Sequence, residues 1–184
     1  EQSVPEGFFS AGLHPWQLHQ ASGEDRQHIL RWAQQPSCVA LGETGLDRVR
    51  STPWQQQLEW LNWHWDLCEE LKKPLVLHAV RASSDLLQLF KRRRPLTPWL
   101  WHDFTGPEAV IKSALKLHPQ LHFSFSPRGL RRKDFRQLWE SVPQDRRLLE
   151  TDDSEVALTE IYQAVQPPED VLLATFRRLF ALTT

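Results

Sequence analysis

An α/β fold of the TIM-barrel type is predicted for this 184-residue chain by three observations. Strand-like apolar segments alternate with helix-like ones, which argues for a parallel sheet with right-handed crossovers. Four of the strand-like segments, Val39–Glu43, Pro74–His78, Pro98–His102 and Leu148–Asp152, each end in a residue type that binds metal. The carboxyl ends of the strands of an α/β barrel converge on one face, where active sites are built. Glu43, His78, His102 and Asp152 are therefore expected around one cation-sized pocket.

The elements follow in order. Residues 8–13 read as a short buried strand closed by His14-Pro15, and residues 24–35 as a helix ended by Pro36. Cys38 to Leu41 is a strand that leads into a tight loop over residues 42–47. Residues 54–72 form a long helix in which Leu58, Leu61, Trp65, Cys68 and Leu71 recur at helical spacing. Lys73-Pro74 ends it, and Leu75 to Leu77 is the next strand. Helices follow over residues 84–93 and from Pro107, a residue suited to a helix start, to about Leu117. Between them lies the strand Trp99–Trp101. Residues 121–125 form a strand, 133–141 a helix and 147–149 a strand, and helices over 155–165 and 168–182 close the chain. With no linker, low-complexity stretch or internal repeat, residues 1–184 are expected to form one domain. Six strands are countable where a closed barrel needs about eight. Either the barrel is incomplete because N-terminal strands lie outside this sequence, or the sheet is open, or the count is short. The sequence starts at Glu1 and contains no Met, and the first alternative fits that start.

Composition narrows the function classes. A net charge of −1 gives no global basic field for nucleic acid, so any such binding must use a local patch. Cys38 and Cys68 share no metal spacing and read as buried, reduced thiols. No run reaches transmembrane length. A monomeric, cytoplasmic protein with no membrane contact is expected.

Side-chain parity sharpens the site. On one strand His78 shares a face with Val76; on the next, His102 shares one with Leu100. Trp99 and Trp101 then point the other way, against helices. A lone strand-end histidine is usually structural. Two at equivalent ends, with Glu43 and Asp152 at two more, make a mixed oxygen and nitrogen site for a divalent cation. Hydrolysis by metal-activated water is the chemistry such a site performs.

Six segments carry a resemblance. Gly-Leu-His-Pro at 12–15, Leu-Gly-Glu-Thr-Gly-Leu-Asp at 41–47, Pro-Leu-Val-Leu-His at 74–78, His-Asp-Phe-Thr-Gly at 102–106, Phe-Ser-Phe-Ser at 123–126 and Leu-Leu-Glu-Thr-Asp at 148–152 resemble, in family order, the TatD family of metal-dependent deoxyribonucleases, within the amidohydrolase-like TIM barrels. The resemblance implies that Glu43 bridges two metal ions, that His78 and His102 bind one of them, and that Asp152 binds the other and orients or deprotonates water. Glu43 and Asp152 would be the catalytic carboxylates. It implies two ions, Mg²⁺ or Mn²⁺, with Zn²⁺ acceptable to the histidines. His14 matches a position that lines the site and touches substrate phosphate. The implied reaction is cleavage of DNA phosphodiester bonds, trimming single-stranded 3′ ends. One departure stands out: the family's His-x-His on its first strand occurs nowhere in this sequence. The arginine that usually follows the strand-end histidine is displaced to Arg81, as in a compact branch of the family that carries His-x-Val-Arg-Ala.

Substrate contacts are expected from His14, Trp16, Arg81, Arg128 and Arg131. Arg128, Arg131, Arg132 and Lys133 follow the strand at 121–125, on the active face, where they either neutralise phosphates or form a solvated loop. Trp16 either stacks an unpaired base or packs. Lys91 to Arg94 should lie on the far face. The amides near Thr105-Gly106 offer an anion site at a helix start, unless Gly106 serves only the turn. Glu150 either reaches the site as a further carboxylate or pairs with an arginine such as Arg146. Asp153 reads as a helix cap and Asp47 as a loop-stabilising group. Two other readings remain: a metal-dependent hydrolase of a small ester, amide or phosphoester, and a degenerate member that binds without turnover.

Overall fold

The computed structural model describes residues 6–182. The order of elements is β1 (Phe9–Ala11), α1 (Gly23–Ala33), β2 (Cys38–Asp47), α2 (Trp54–Leu71), β3 (Leu75–Val80), α3 (Ser83–Arg92), β4 (Trp99–Trp101), α4 (Glu108–Leu117), β5 (Leu121–Phe125), α5 (Pro127–Leu130), α6 (Phe135–Ser141), β6 (Arg147–Leu149), α7 (Leu158–Val165) and α8 (Glu169–Leu179). The six strands follow one another in the sheet in chain order. The β-α alternation read from the sequence is thus the architecture found, consistent with a TIM-type barrel. No helix among the described residues is long and apolar enough to cross a membrane. The chain packs as two compact units, Glu1–Ala82 with Pro95–Trp99, and Ser83–Arg94 with Leu100–Thr184.

In the first unit β1, β2 and β3 pair in parallel. Helix α1 starts at a capping box: Ser22 Oγ accepts from the Glu24 amide at 3.2 Å, and Asp25 Oδ2 accepts from the Ser22 amide at 2.7 Å. Leu41, Leu46, Leu75 and Leu77 are fully buried. Trp65 of α2 meets Trp99 edge to face at 4.7 Å between ring centres, so Trp99 packs against a helix, as parity predicts. Truncating a buried ring of this kind costs about 3–5 kcal/mol. Cys38 and Cys68 are buried free thiols, and burial raises the pKa of both.

One element differs from expectation. Residues 42–47 are not a loop but the second half of β2. The register breaks between Leu41 and Thr44, then resumes with Gly45 opposite His78 and Asp47 opposite Val80. Glycine permits this crowding. A Cβ on Gly45 would lie 1.9 Å from the His78 carbonyl oxygen, and one on Gly12 would lie 2.4 Å from the Gly42 Cα. Gly45 also has φ +153°, a backbone conformation that disfavours other residues. The irregularity falls at Gly42 and Glu43, inside β2.

In the second unit β5 and β6 pair in parallel. Along β5, Phe123 and Phe125 face an aromatic cluster. Phe123 meets Phe104 at 5.0 Å and Trp101 at 5.9 Å, and Phe125 meets Trp139 at 5.6 Å. The alternate residues, His122 and Ser124 with Ser126 beyond, form a buried polar row. Arg147 is buried too, stacked 4.4 Å over Trp139 and donating to the Trp139 carbonyl at 2.7 Å. The last helices start later than the sequence suggests. Helix α7 begins at Leu158 with Ala157 at its cap position, so Asp153 caps nothing. The residues before it fold as turns, with Asp152 at φ 50° and the Ser154 amide bonded to the Thr151 carbonyl at 3.0 Å. An apolar cavity of about 550 Å³ lies among Leu148, Leu158, Tyr162, Leu172 and Phe176, lined by none of the expected ligands.

Candidate metal centre

In the first unit a single carboxylate oxygen organises the site. Glu43 Oε1 lies 2.8 Å from His78 Nδ1 and 3.2 Å from His14 Nε2. The two imidazole rings are 4.3 Å apart at 71°. One ligating atom from each of His14, Glu43 and His78 falls within 4.8 Å of the others, the compactness needed to hold one cation. A carboxylate and two imidazoles accept Mn²⁺ or Zn²⁺ readily, and Mg²⁺ if water fills the remaining positions. The structure therefore brings Glu43 and His78 together and adds His14, which the sequence suggested only as a substrate contact.

Helix α2 and the loop before it hold this cluster in place through polar side chains. Gln57, buried, accepts from the Asp47 amide at 2.7 Å and donates to the Asp47 and Thr52 carbonyls at 3.1 and 2.9 Å, pinning the end of β2. Gln56 donates to the Leu18 carbonyl at 2.7 Å, and Thr52 to that of Pro15 at 2.8 Å. His64, fully buried, accepts from the Leu13 amide at 3.3 Å, directly before His14.

Asp47 supports the site as well as the chain. Its Oδ1 accepts from the Val49 amide at 2.7 Å and its Oδ2 from Trp16 Nε1 at 2.7 Å, with His78 Nε2 at 3.4 Å from the same oxygen. Burial pushes its carboxyl up, but the bonds from Trp16, Val49 and His78 outweigh that and hold it below the usual range. A carboxylate on one histidine nitrogen fixes the tautomer and directs the other nitrogen outward; here that other nitrogen faces Glu43. The stabilising role expected of Asp47 is present, with His78 among its beneficiaries. Trp16 stands edge-on to His14 at 4.9 Å and to His78 at 6.1 Å. One of its faces is covered by the Arg50 guanidinium, 3.7 Å from the ring centre. Arg81 is exposed, with φ 52°.

The second unit carries another polar cluster. His102 Nδ1 lies 3.4 Å from Glu150 Oε1. Glu150 also accepts from the Asp103 amide at 2.6 Å and from Ser124 Oγ at 2.7 Å. It is thus a carboxylate on a histidine and not a partner of Arg146, which pairs with Asp145 at 3.2 Å. Asp103 accepts from Ser126 Oγ and binds Arg128 at 2.9 Å. Burial is the main reason its pKa is raised; Ser126 and Arg128 oppose, while Glu150 and Asp152 add. Arg128 also reaches Asp152 at 3.7 Å and Asp153 at 3.5 Å. The expected phosphate cation therefore already faces three carboxylates. Arg132 donates to the Thr105 carbonyl and pairs with Asp134 at 2.7 Å, whereas Arg131 and Lys133 are exposed. Gly106 has no left-handed backbone; a Cβ there would meet the Phe104 ring at 2.7 Å, so close packing is what requires it.

Sequence reasoning had not singled out Gln57, His64, Arg50 or Asp103. Gln57 and His64 share one helical face with buried Trp60, Leu61, Trp65 and Cys68, so in sequence they read as polar interruptions of an apolar stripe.

The family model described as TatD related DNase matches residues 1–172. The 3′-5′ ssDNA/RNA exonuclease TatD of Erwinia billingiae is 35% identical over 156 residues, 78% of this chain and 56% of that protein. The uncharacterized metal-dependent hydrolase YcfH of Escherichia coli is 32% identical over 147 residues, 78% of this chain and 54% of that protein. The chain thus spans about half the length of these relatives. Among solved structures, the TatD homologue YjjV of Escherichia coli superposes with a TM-score of 0.82 at 23% identity, covering 96% of this chain and 77% of that one.

Proposed function

Because this chain belongs to the TatD-related DNase family, we propose that it is a divalent-metal-dependent nuclease that removes nucleotides from the 3′ ends of single-stranded DNA. The observation that carries the reading is the Glu43 oxygen shared by His14 and His78 at 3.2 and 2.8 Å. The TatD and YcfH names of its relatives support hydrolysis of nucleic acid and dependence on metal.

In this proposal Glu43, His78, His102 and Asp152 hold two ions, Mg²⁺ or Mn²⁺, with His14 as a further donor. Bound metal supplies Lewis acidity toward a phosphoryl oxygen and lowers the pKa of water. The chain supplies the rest. Asp47 keeps His78 in the tautomer that points its Nδ1 at Glu43, and Glu150 orients His102. Asp152 accepts the proton of the attacking water. Arg81 and Arg131, both exposed, meet the substrate backbone. A monomer working in the cytoplasm belongs to the same proposal.

The test is release of nucleotides from a 5′-labelled single-stranded oligonucleotide. Mg²⁺ or Mn²⁺ should stimulate it, and His102→Ala should abolish it. Robust cleavage that persists in EDTA would contradict the proposal.

A further inference from the structure

Beside the histidine–Glu43 cluster of the first unit stands one further cation, Arg50, that the proposed roles leave unused. Arg128, the residue expected to meet phosphate, is bound to Asp103, Asp152 and Asp153 at 2.9, 3.7 and 3.5 Å. Arg50 stands in a different condition. Among the described residues it pairs with no carboxylate. Its guanidinium carbon sits over an aromatic ring instead, 3.7 Å from the centre of Trp16, and the residue is exposed to solvent.

The ring that carries it is itself fixed. Trp16 Nε1 donates to Asp47 Oδ2 at 2.7 Å, and that oxygen is 3.4 Å from His78 Nε2. The opposite relation holds at the ring's edge, where His14 and His78 stand perpendicular to it at 4.9 and 6.1 Å. Arg50 and two members of the cation-binding cluster thus contact the same indole ring. A guanidinium attracted to a ring face through its charge and π system still has its in-plane N–H donors to offer. Those donors match the paired non-bridging oxygens of a phosphate.

We infer that Arg50, held on Trp16, is a phosphate-binding residue of this site and grips a backbone phosphate of single-stranded nucleic acid next to the one being cleaved. The inference rests on the proposed nuclease function and assigns Trp16 a new part: it does not stack a base on the face that Arg50 covers, but positions the cation. Arginine is needed there and lysine is a poor replacement, because an ammonium neither stacks flat nor binds two oxygens at once.

The experiment measures binding of a single-stranded phosphorothioate oligonucleotide, which resists cleavage, by fluorescence anisotropy in Mg²⁺ across a range of salt. One phosphate contact on a single strand contributes about 0.7 to the slope of log affinity against log salt. Arg50→Ala should lower that slope by about 0.7 and weaken binding about tenfold at low salt, with an unchanged melting temperature. Arg50→Lys should recover the slope but not the full affinity. Trp16→Leu should weaken binding through the same contact, so the double variant should be no worse than Arg50→Ala alone. A wild-type slope in Arg50→Ala, or a loss of stability without loss of binding, overturns the inference and leaves Arg50 as a cover for Trp16. Failure of the nuclease reading shows separately, as a wild type that binds this probe yet releases nothing from an unmodified strand. A wild type that does not bind at all overturns both.

Discussion

His64 should make the first unit acid-sensitive in a way that one substitution removes. Its side chain is fully buried in α2, with Nδ1 2.8 Å from the Trp60 carbonyl and Nε2 3.3 Å from the Leu13 amide. These partners demand the neutral ring: Nδ1–H donates to the carbonyl, and the Nε2 lone pair accepts from the amide. A second proton would set two N–H groups against each other. Burial, aided by the charge of Arg26 and opposed by the Trp60 carbonyl, lowers the pKa from 6.5 to about 4. The folded value lies below the unfolded one, so the unfolded state takes up protons first as pH falls. The stability tied to neutral His64 is complete above pH 6.5, drains between 6.5 and about 4, and is then constant. At pH 5 the loss is roughly 2 kcal/mol, at 1.4 kcal/mol per pH unit, a large share of a typical domain's stability of about 5–15 kcal/mol. His64→Gln keeps a donor and an acceptor but does not titrate. Urea denaturation in EDTA at pH 7.5 and pH 5.0 should show the wild type losing about 2 kcal/mol more than His64→Gln. Equal losses in the two proteins would refute the reasoning. Because Leu13 precedes His14, the same protonation should also loosen the loop that carries a proposed ligand.

Two further outcomes are expected. Gly45→Ala should destabilise the fold by more than ~2 kcal/mol, since its Cβ would collide with the His78 carbonyl and its φ disfavours alanine; thermal melting reads this directly. Glu150→Gln should reduce metal-stimulated nucleotide release 10- to 100-fold while leaving some turnover, the range for losing an outer partner of a ligating histidine. Wild-type rates in that variant would reduce the Glu150–His102 contact to a structural one.

The alternation of strands and helices was readable because apolar runs and helical spacing persist along the chain. Glu43 and His78 were readable because each follows an apolar strand-like run, although β2 and β3 continue past both. Other features have no local signature. The second half of β2 looks like a loop, with two glycines in residues 42–47, yet those glycines serve close approach between strands. Gln57 and His64 look like interruptions of an apolar stripe, and only their backbone partners, 10 and 51 residues away, reveal their work. The charge of Arg128 is visible in sequence. Its neutralisation by Asp103, Asp152 and Asp153 depends on chain segments brought together by folding. Asp153 precedes a helix by several residues that fold as turns, so a capping pattern was present without a cap.

The most direct measurement is Mn²⁺ titration calorimetry of the wild type against Glu43→Gln, which preserves shape and removes the negative charge. If Glu43 is the shared ligand of a metal centre, the wild type binds the ion and the variant binds it at least ~100-fold more weakly, more than an outer-partner substitution costs. Equal affinity and stoichiometry in the two proteins would contradict the account.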